Sequence, residues 1–242
     1  MATYVLVHGS WHGAWCWYRV VAELQRRSHT VIAPDLLALG RDLTPPGSVT
    51  LDAWTDQIAA CVQGCAEPVV LVGHSRGGII VSQVAERMPE RIRALVYVSA
   101  FLLEAGDTLG DAAARDPDSL VLPSMRIAAD GQSASILESA VREVFYGLSS
   151  AEDAILGQSL LRPEPLGPIS TPIRTTGGRF GRVPRRYIEC AADRAITPAA
   201  QRRMQTALPC RRLPALQADH SPFFSAPLAL TNLLTDDVLA PF

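Results

Sequence analysis

Lysine is absent from this chain: all 22 of its cationic side chains are arginine. That absence excludes Schiff-base chemistry, amine general bases and lysine-dependent phosphate loops. Cysteine is sparse as well. Cys16, Cys61, Cys65, Cys190 and Cys210 are odd in number and contain no C-x-x-C pair, so they read as reduced thiols rather than a disulfide framework or a metal site. Long apolar runs are missing too; the longest, residues 94–103, falls far short of the ~20 residues that cross a bilayer. The opening Met-Ala-Thr-Tyr has no basic segment before its short apolar run, which predicts no signal peptide. A net charge of −2 supplies no attraction to nucleic acid or to an anionic membrane. The expectation is a cytoplasmic protein without nucleic-acid or membrane partners, a monomer or homodimer, with 48% apolar residues to build a core.

The most informative stretch is residues 69–78, Val-Val-Leu-Val-Gly-His-Ser-Arg-Gly-Gly. Four apolar residues suited to a buried strand run directly into Gly73-His74-Ser75-Arg76-Gly77, the G-x-S-x-G pattern of a nucleophile elbow. A serine on so tight a strand-to-helix turn sits in a strained backbone conformation, and side chains two residues to either side would collide with the turn. Glycines at 73 and 77 remove those side chains.

Strands and helices alternate around this point. Strands are expected at 3–7, 30–33, 69–72 and 94–98, with helices from about residue 15 to 27, over 51–65 with Thr50 as N-cap, and after the elbow up to Pro89. That alternation predicts an α/β fold with a mostly parallel sheet flanked by helices. From 104 to 184 the alternation stops, and only two helical stretches stand out, near 138–146 and 151–161, the second with Ser149 and Glu152 as a candidate capping box. So long an interruption in one domain predicts a lid, here a small and mainly helical one. A strand at 186–190, a helix at 198–208, a strand near 211–216 and a closing helix after Pro222 complete the pattern. The 242 residues are read as a single domain, with core 1–103 and 185–242 and cap 104–184.

A serine hydroxyl needs a neighbouring base, and the base needs an orienting carboxylate. In elbow hydrolases the chain order is serine, acid, histidine. Of five histidines, His220 alone follows Ser75 beyond the elbow, so His220 is the expected base. Asp193 directly follows a predicted strand, where functional groups of parallel sheets gather, and is the expected acid. Glu189 inside that strand and Asp219 beside the base are poorly placed to face the imidazole. The backbone N–H groups of Arg76 and Ser10 are the expected oxyanion donors, with Gly9 allowing close approach. The Arg76 side chain reads as half of a structural ion pair.

With these residues identified, the chain resembles the α/β-hydrolase superfamily, in particular the branch of plant methyl-ester esterases, salicylate-binding proteins and hydroxynitrile lyases. The resemblance rests on Val5-Leu6-Val7-His8-Gly9 with His12-Gly13-Ala14-Trp15-Cys16-Trp17, on Gly73-His74-Ser75, on Tyr187-Ile188 and on Asp219-His220-Ser221-Pro222-Phe223-Phe224. It implies a Ser75-Asp193-His220 triad under a small helical cap, with no metal or organic cofactor. Lyases of the branch carry a threonine where this chain has Gly9 and a lysine where it has Ser221, which favours ester hydrolysis. Arg76 departs from the apolar or aromatic residue usual there. The reading is a serine carboxylesterase for small, largely apolar esters; a lyase, a C–C hydrolase or lactonase, and a small-molecule receptor with vestigial chemistry are the alternatives. Gly9, Trp11, Leu122, Met125, Phe145, Tyr146, Leu160 and Ser221 are the candidate pocket residues.

Overall fold

A computed structural model of the chain describes residues 1–237. The alternation is present from the start, as β1 (Thr3–Val7), α1 (Tyr18–Arg26), β2 (Thr30–Ile32), α2 (Leu51–Gln63), β3 (Val69–His74), α3 (Gly77–Arg87) and β4 (Ile92–Val98). The interruption then holds α4 (Leu109–Ala114), α5 (Val121–Ser124), β5 (Met125–Ile127), β6 (Ser133–Ile136), α6 (Glu138–Phe145), α7 (Ala151–Leu160) and β7 (Glu164–Pro165). The main sheet resumes with β8 (Arg185–Ile188), α8 (Pro198–Ala207) and β9 (Arg211–Arg212), followed by α9 (Pro222–Ser225) and α10 (Pro227–Asn232).

Six strands form the central sheet in the order β2-β1-β3-β4-β8-β9, and each adjacent pair is parallel. Because a parallel sheet with crossover helices is buried on both faces, its inner strands β1, β3 and β4 are apolar at nearly every position. Alternate residues then divide between two cores. In β1, Tyr4 and Leu6 join Val70, Val72, Trp17, Val20 and Leu24 on one face. Val5 and Val7 join Leu71, Leu95, Trp54, Ile58, Ile80 and Val84 on the other. Thr50 caps α2 as expected, its hydroxyl accepting from the Ala53 N–H at 3.0 Å.

Three expectations need amending. The segment 104–184 is mainly helical as expected, but it also holds an antiparallel sheet formed by β5, β6 and β7. These strands of three, four and two residues are too short for a two-residue alternation to register in sequence. Ser150, not Ser149, is the N-cap of α7, accepting from the Asp153 N–H, while the Ser149 hydroxyl is spent on Asp219. The closing helix is broken in two, because the residue before a proline is driven from the helical region. Ala226, preceding Pro227, has φ −147° and ψ 48°.

Candidate active site

The end of β3 delivers Ser75 into a turn where its φ is 52°, in the left-handed region that side chains rarely occupy. The glycines make this possible by their size. A Cβ on Gly73 would lie 2.8 Å from the Gly77 backbone, and one on Gly77 would lie 2.7 Å from the Val7 carbonyl oxygen. The turn is tied back by the Phe101 and Gly78 N–H groups, which donate to the Ser75 carbonyl at 3.0 and 3.1 Å.

His220 and Asp193 arrive from loops at the same, C-terminal edge of the sheet. His220 Nδ1 lies 2.7 Å from Asp193 Oδ2, with both residues buried. Asp193 Oδ1 accepts from the N–H groups of Ala195 and Ile196 at 2.7 and 2.9 Å. Its Oδ2 also accepts from the Ser99 hydroxyl, on the residue that follows β4. With the carboxylate so placed, Nδ1 carries the proton and Nε2 is left as the basic nitrogen. The His74 ring packs 4.6 Å from the His220 ring and donates from Nε2 to the His220 carbonyl at 2.7 Å. Burial holds His74 well below the ordinary histidine pKa, so this ring is a neutral donor. Asp219 does not face the imidazole. It accepts from Leu148 N–H, Ser149 N–H and the Ser149 hydroxyl, tying the His220 loop to the segment before α7. Glu189 is occupied by Arg202 and Gln205.

Ser75, His220, Ser10 and Trp11 line a cavity of about 130 Å³ whose remaining walls are mostly apolar. Of the candidate pocket residues, Trp11, Leu122, Met125 and Phe145 line it. Gly9, Tyr146, Leu160 and Ser221 do not. Gly9 lies behind the serine, where a Cβ would come 2.8 Å from that of Ser75. Tyr146 is buried, with its hydroxyl 2.8 Å from His12 Nε2. Leu160 is turned to solvent on α7, and Ser221 heads α9, its carbonyl accepting from Phe224 N–H. Leu109, Val121, Leu166, Ile169, Ala195 and Ile196 are among the remaining wall residues. They come from distant parts of the chain, and no local pattern marks them.

The loop after β1 is held at every turn. His8 Nε2 accepts from the Leu36 N–H, so Nδ1 is the protonated nitrogen that donates to the Gly9 carbonyl at 2.9 Å. His12 Nδ1 donates to the Ser10 carbonyl at 2.7 Å. Burial lowers both rings to about 3, which keeps them neutral. Trp11, at φ 62°, is a second strained residue, and its N–H donates to Glu164 at 2.9 Å. Among the described residues, the N–H groups of Ser10 and Arg76 donate to no protein acceptor. A buried N–H without a partner is uncommon, and two of them beside Ser75 suit an incoming anionic oxygen.

The Arg76 side chain, fully buried, meets Glu164 of β7 at 2.6 Å and stacks 4.1 Å over the Trp54 ring. Burial pushes the Glu164 carboxyl up, against the pull of Arg76, Trp11 N–H and the Ser10 hydroxyl. Glu164 is a site neighbour that sequence reasoning missed. It lies 88 residues beyond Arg76 in a two-residue strand, with no motif around it.

Known proteins share both the pattern and the shape. Over 252 aligned residues the chain is 32% identical to Methylesterase 2 of Arabidopsis thaliana, covering 98% of this chain and 94% of that one. It is 31% identical to Esterase PIR7B of Oryza sativa subsp. japonica, with 96% and 93% covered. The crystal structure of a pyrethroid hydrolase from Sphingobium faniae JZ-2 superposes with a TM-score of 0.88 at 27% identity, covering 99% of this chain and 98% of that one. That of the methylesterase MES16 from Arabidopsis gives 0.87 at 26%, with 98% and 99% covered. Since the profile of the alpha/beta hydrolase family also matches residues 4–232, from the first strand through the last helix, this chain belongs to that family.

Proposed function

We propose that the protein is a serine carboxylesterase that cleaves small, largely apolar carboxylic esters through an acyl-enzyme. The observation that carries this reading is the convergence of a strained Ser75 and an Asp193-held His220 on one apolar cavity. Similarity to relatives named as methylesterases and as an esterase supports the bond type. Ser75 Oγ attacks the ester carbonyl while His220 Nε2 takes its proton. The carbonyl oxygen becomes negative and is met by the N–H groups of Ser10 and Arg76. His220 then returns the proton to the departing alkoxide, and the alcohol leaves. A water, deprotonated by the same nitrogen, attacks the acyl carbon and releases the acid with Ser75 restored.

The residue after His220 is Ser221, so the cation that a lyase would set against departing cyanide is not supplied there. Five free thiols, spread over buried and half-buried positions, fit work in a reducing compartment such as the cytoplasm. The test is hydrolysis of 4-nitrophenyl acetate together with labelling by a fluorophosphonate probe. Ser75→Ala is expected to lose both turnover and labelling, and a variant retaining either at the wild-type level would overturn the reading.

A further inference from the structure

The two backbone donors beside Ser75 differ in how they are held. The Arg76 N–H is fixed by the elbow itself. The Ser10 N–H lies in a loop, and its direction depends on the rest of its peptide unit. In a planar trans peptide the Gly9 carbonyl and the Ser10 N–H point in opposite directions. Whatever grips that carbonyl therefore aims that N–H. The carbonyl accepts from Arg76 Nη2 and from His8 Nδ1, each at 2.9 Å.

Arg76 is in turn set by Glu164, 2.6 Å from its Nε, and the same carboxylate takes the Trp11 N–H at 2.9 Å and the Ser10 hydroxyl at 3.1 Å. Both members of the pair are wholly buried. The segment around Glu164 adds two more ties, from Arg162 N–H to the Trp11 carbonyl and from the Trp11 ring N–H to the Ala134 carbonyl. The loop that offers Ser10 to the substrate is thus clamped between the elbow arginine and the β6–β7 ladder.

We propose that the Arg76 side chain, locked by Glu164, is a positioning residue that aims the Ser10 N–H at the developing oxyanion, and that seating of β7 completes the hole. This rests on the esterase reading above. A buried ion pair with only a structural role predicts otherwise: replacing both partners by neutral residues of similar size leaves a stable fold and, on that view, an unchanged rate.

The double substitution Arg76→Met with Glu164→Gln separates the two. Glutamine keeps an acceptor for the Trp11 N–H, while methionine removes the donor to the Gly9 carbonyl. Turnover of 4-nitrophenyl butyrate, thermal melting, and inhibition by an alkyl trifluoromethyl ketone would be measured on the purified full chain. Ser75 adds to this ketone to give an anion that occupies the hole. Expected is a kcat lowered about 10- to 100-fold, less than the loss of a whole donor, with KM within threefold. The ketone's inhibition constant is expected to rise in proportion. A folded double variant with kcat and inhibition within twofold of wild type overturns the inference. Should that variant not fold, Arg76→Lys decides: it keeps the charge facing Glu164 but cannot reproduce the forked reach of a guanidinium to two acceptors. The same loss of kcat with KM retained supports the aiming role, and an unaltered kcat overturns it. Failure of the wild type to hydrolyse any ester would instead sink the functional reading.

Discussion

At the scale of single residues, the site is a chain of orientations. Ser99 and two backbone N–H groups hold Asp193, Asp193 holds one side of the His220 ring, and His74 holds the His220 carbonyl. Fixing the carboxylate fixes which imidazole nitrogen bears the proton. Asp193→Asn would present an amide able to donate, favouring the wrong tautomer, and kcat is expected to fall on the order of 10⁴-fold with KM little changed. A steady-state assay on nitrophenyl esters checks this, and a loss under tenfold would remove Asp193 from the mechanism. As candidates, Ser75 and His220 followed from the elbow spacing and chain order, and Asp193 from its place directly after a predicted strand. Ser99 was not, since a serine after an apolar strand carries no sign that its hydroxyl reaches a residue 94 positions away.

At the scale of elements, the elbow works because β3 and α3 meet at a separation that a methyl group would forbid. The Gly77 Cα lies against the Val7 and His8 carbonyls of the β1 end. Gly77→Ala would set a Cβ 2.7 Å from the Val7 oxygen, a backbone atom that cannot swing aside. Such overpacking is expected to cost about 1–3 kcal/mol and to displace Ser75, so the urea midpoint and kcat should fall together. Normal stability and activity would show that β1 and α3 yield more readily than the geometry implies. The spacing of glycines in the elbow announced this constraint. The antiparallel ladder of β5, β6 and β7 was silent, because such short strands are stabilised by their neighbours rather than by a pattern of their own.

For the whole molecule, three neutral histidines sit in the interior: His8, His12 and His74. Burial lowers the first two from 6.5 to about 3 and the third well below 6.5. Once unfolded, each takes a proton near pH 6.5, so below that pH the unfolded chain binds more protons than the fold. Stability from this source is full above about pH 6.5 and drains away as pH falls toward 3. All three rings act in the same direction, so their losses reinforce one another as pH falls below about 6.5. Glu164, raised by burial, favours the fold on protonation and offsets a part of them. Urea midpoints measured at pH 7, 6 and 5 are expected to decline steadily; a flat series would contradict buried neutral rings. Among the described residues no helix is long and apolar enough to cross a membrane.

Sequence by itself determined the α/β alternation and the elbow, and it singled out Ser75, Asp193 and His220 as the proposed nucleophile, acid and base. Each depends on local spacing or on order along the chain, which a linear reading preserves. The tertiary structure alone decided the rest: which walls close the cavity, how the cap is built, and which partners Arg76 finds. Its partner Glu164 sits in a cap strand with no pattern of its own, and a buried charge finds its counterion through space. The linear string shows that an arginine follows Ser75; only packing reveals that its far end donates to the Gly9 carbonyl, on the peptide that carries the Ser10 N–H.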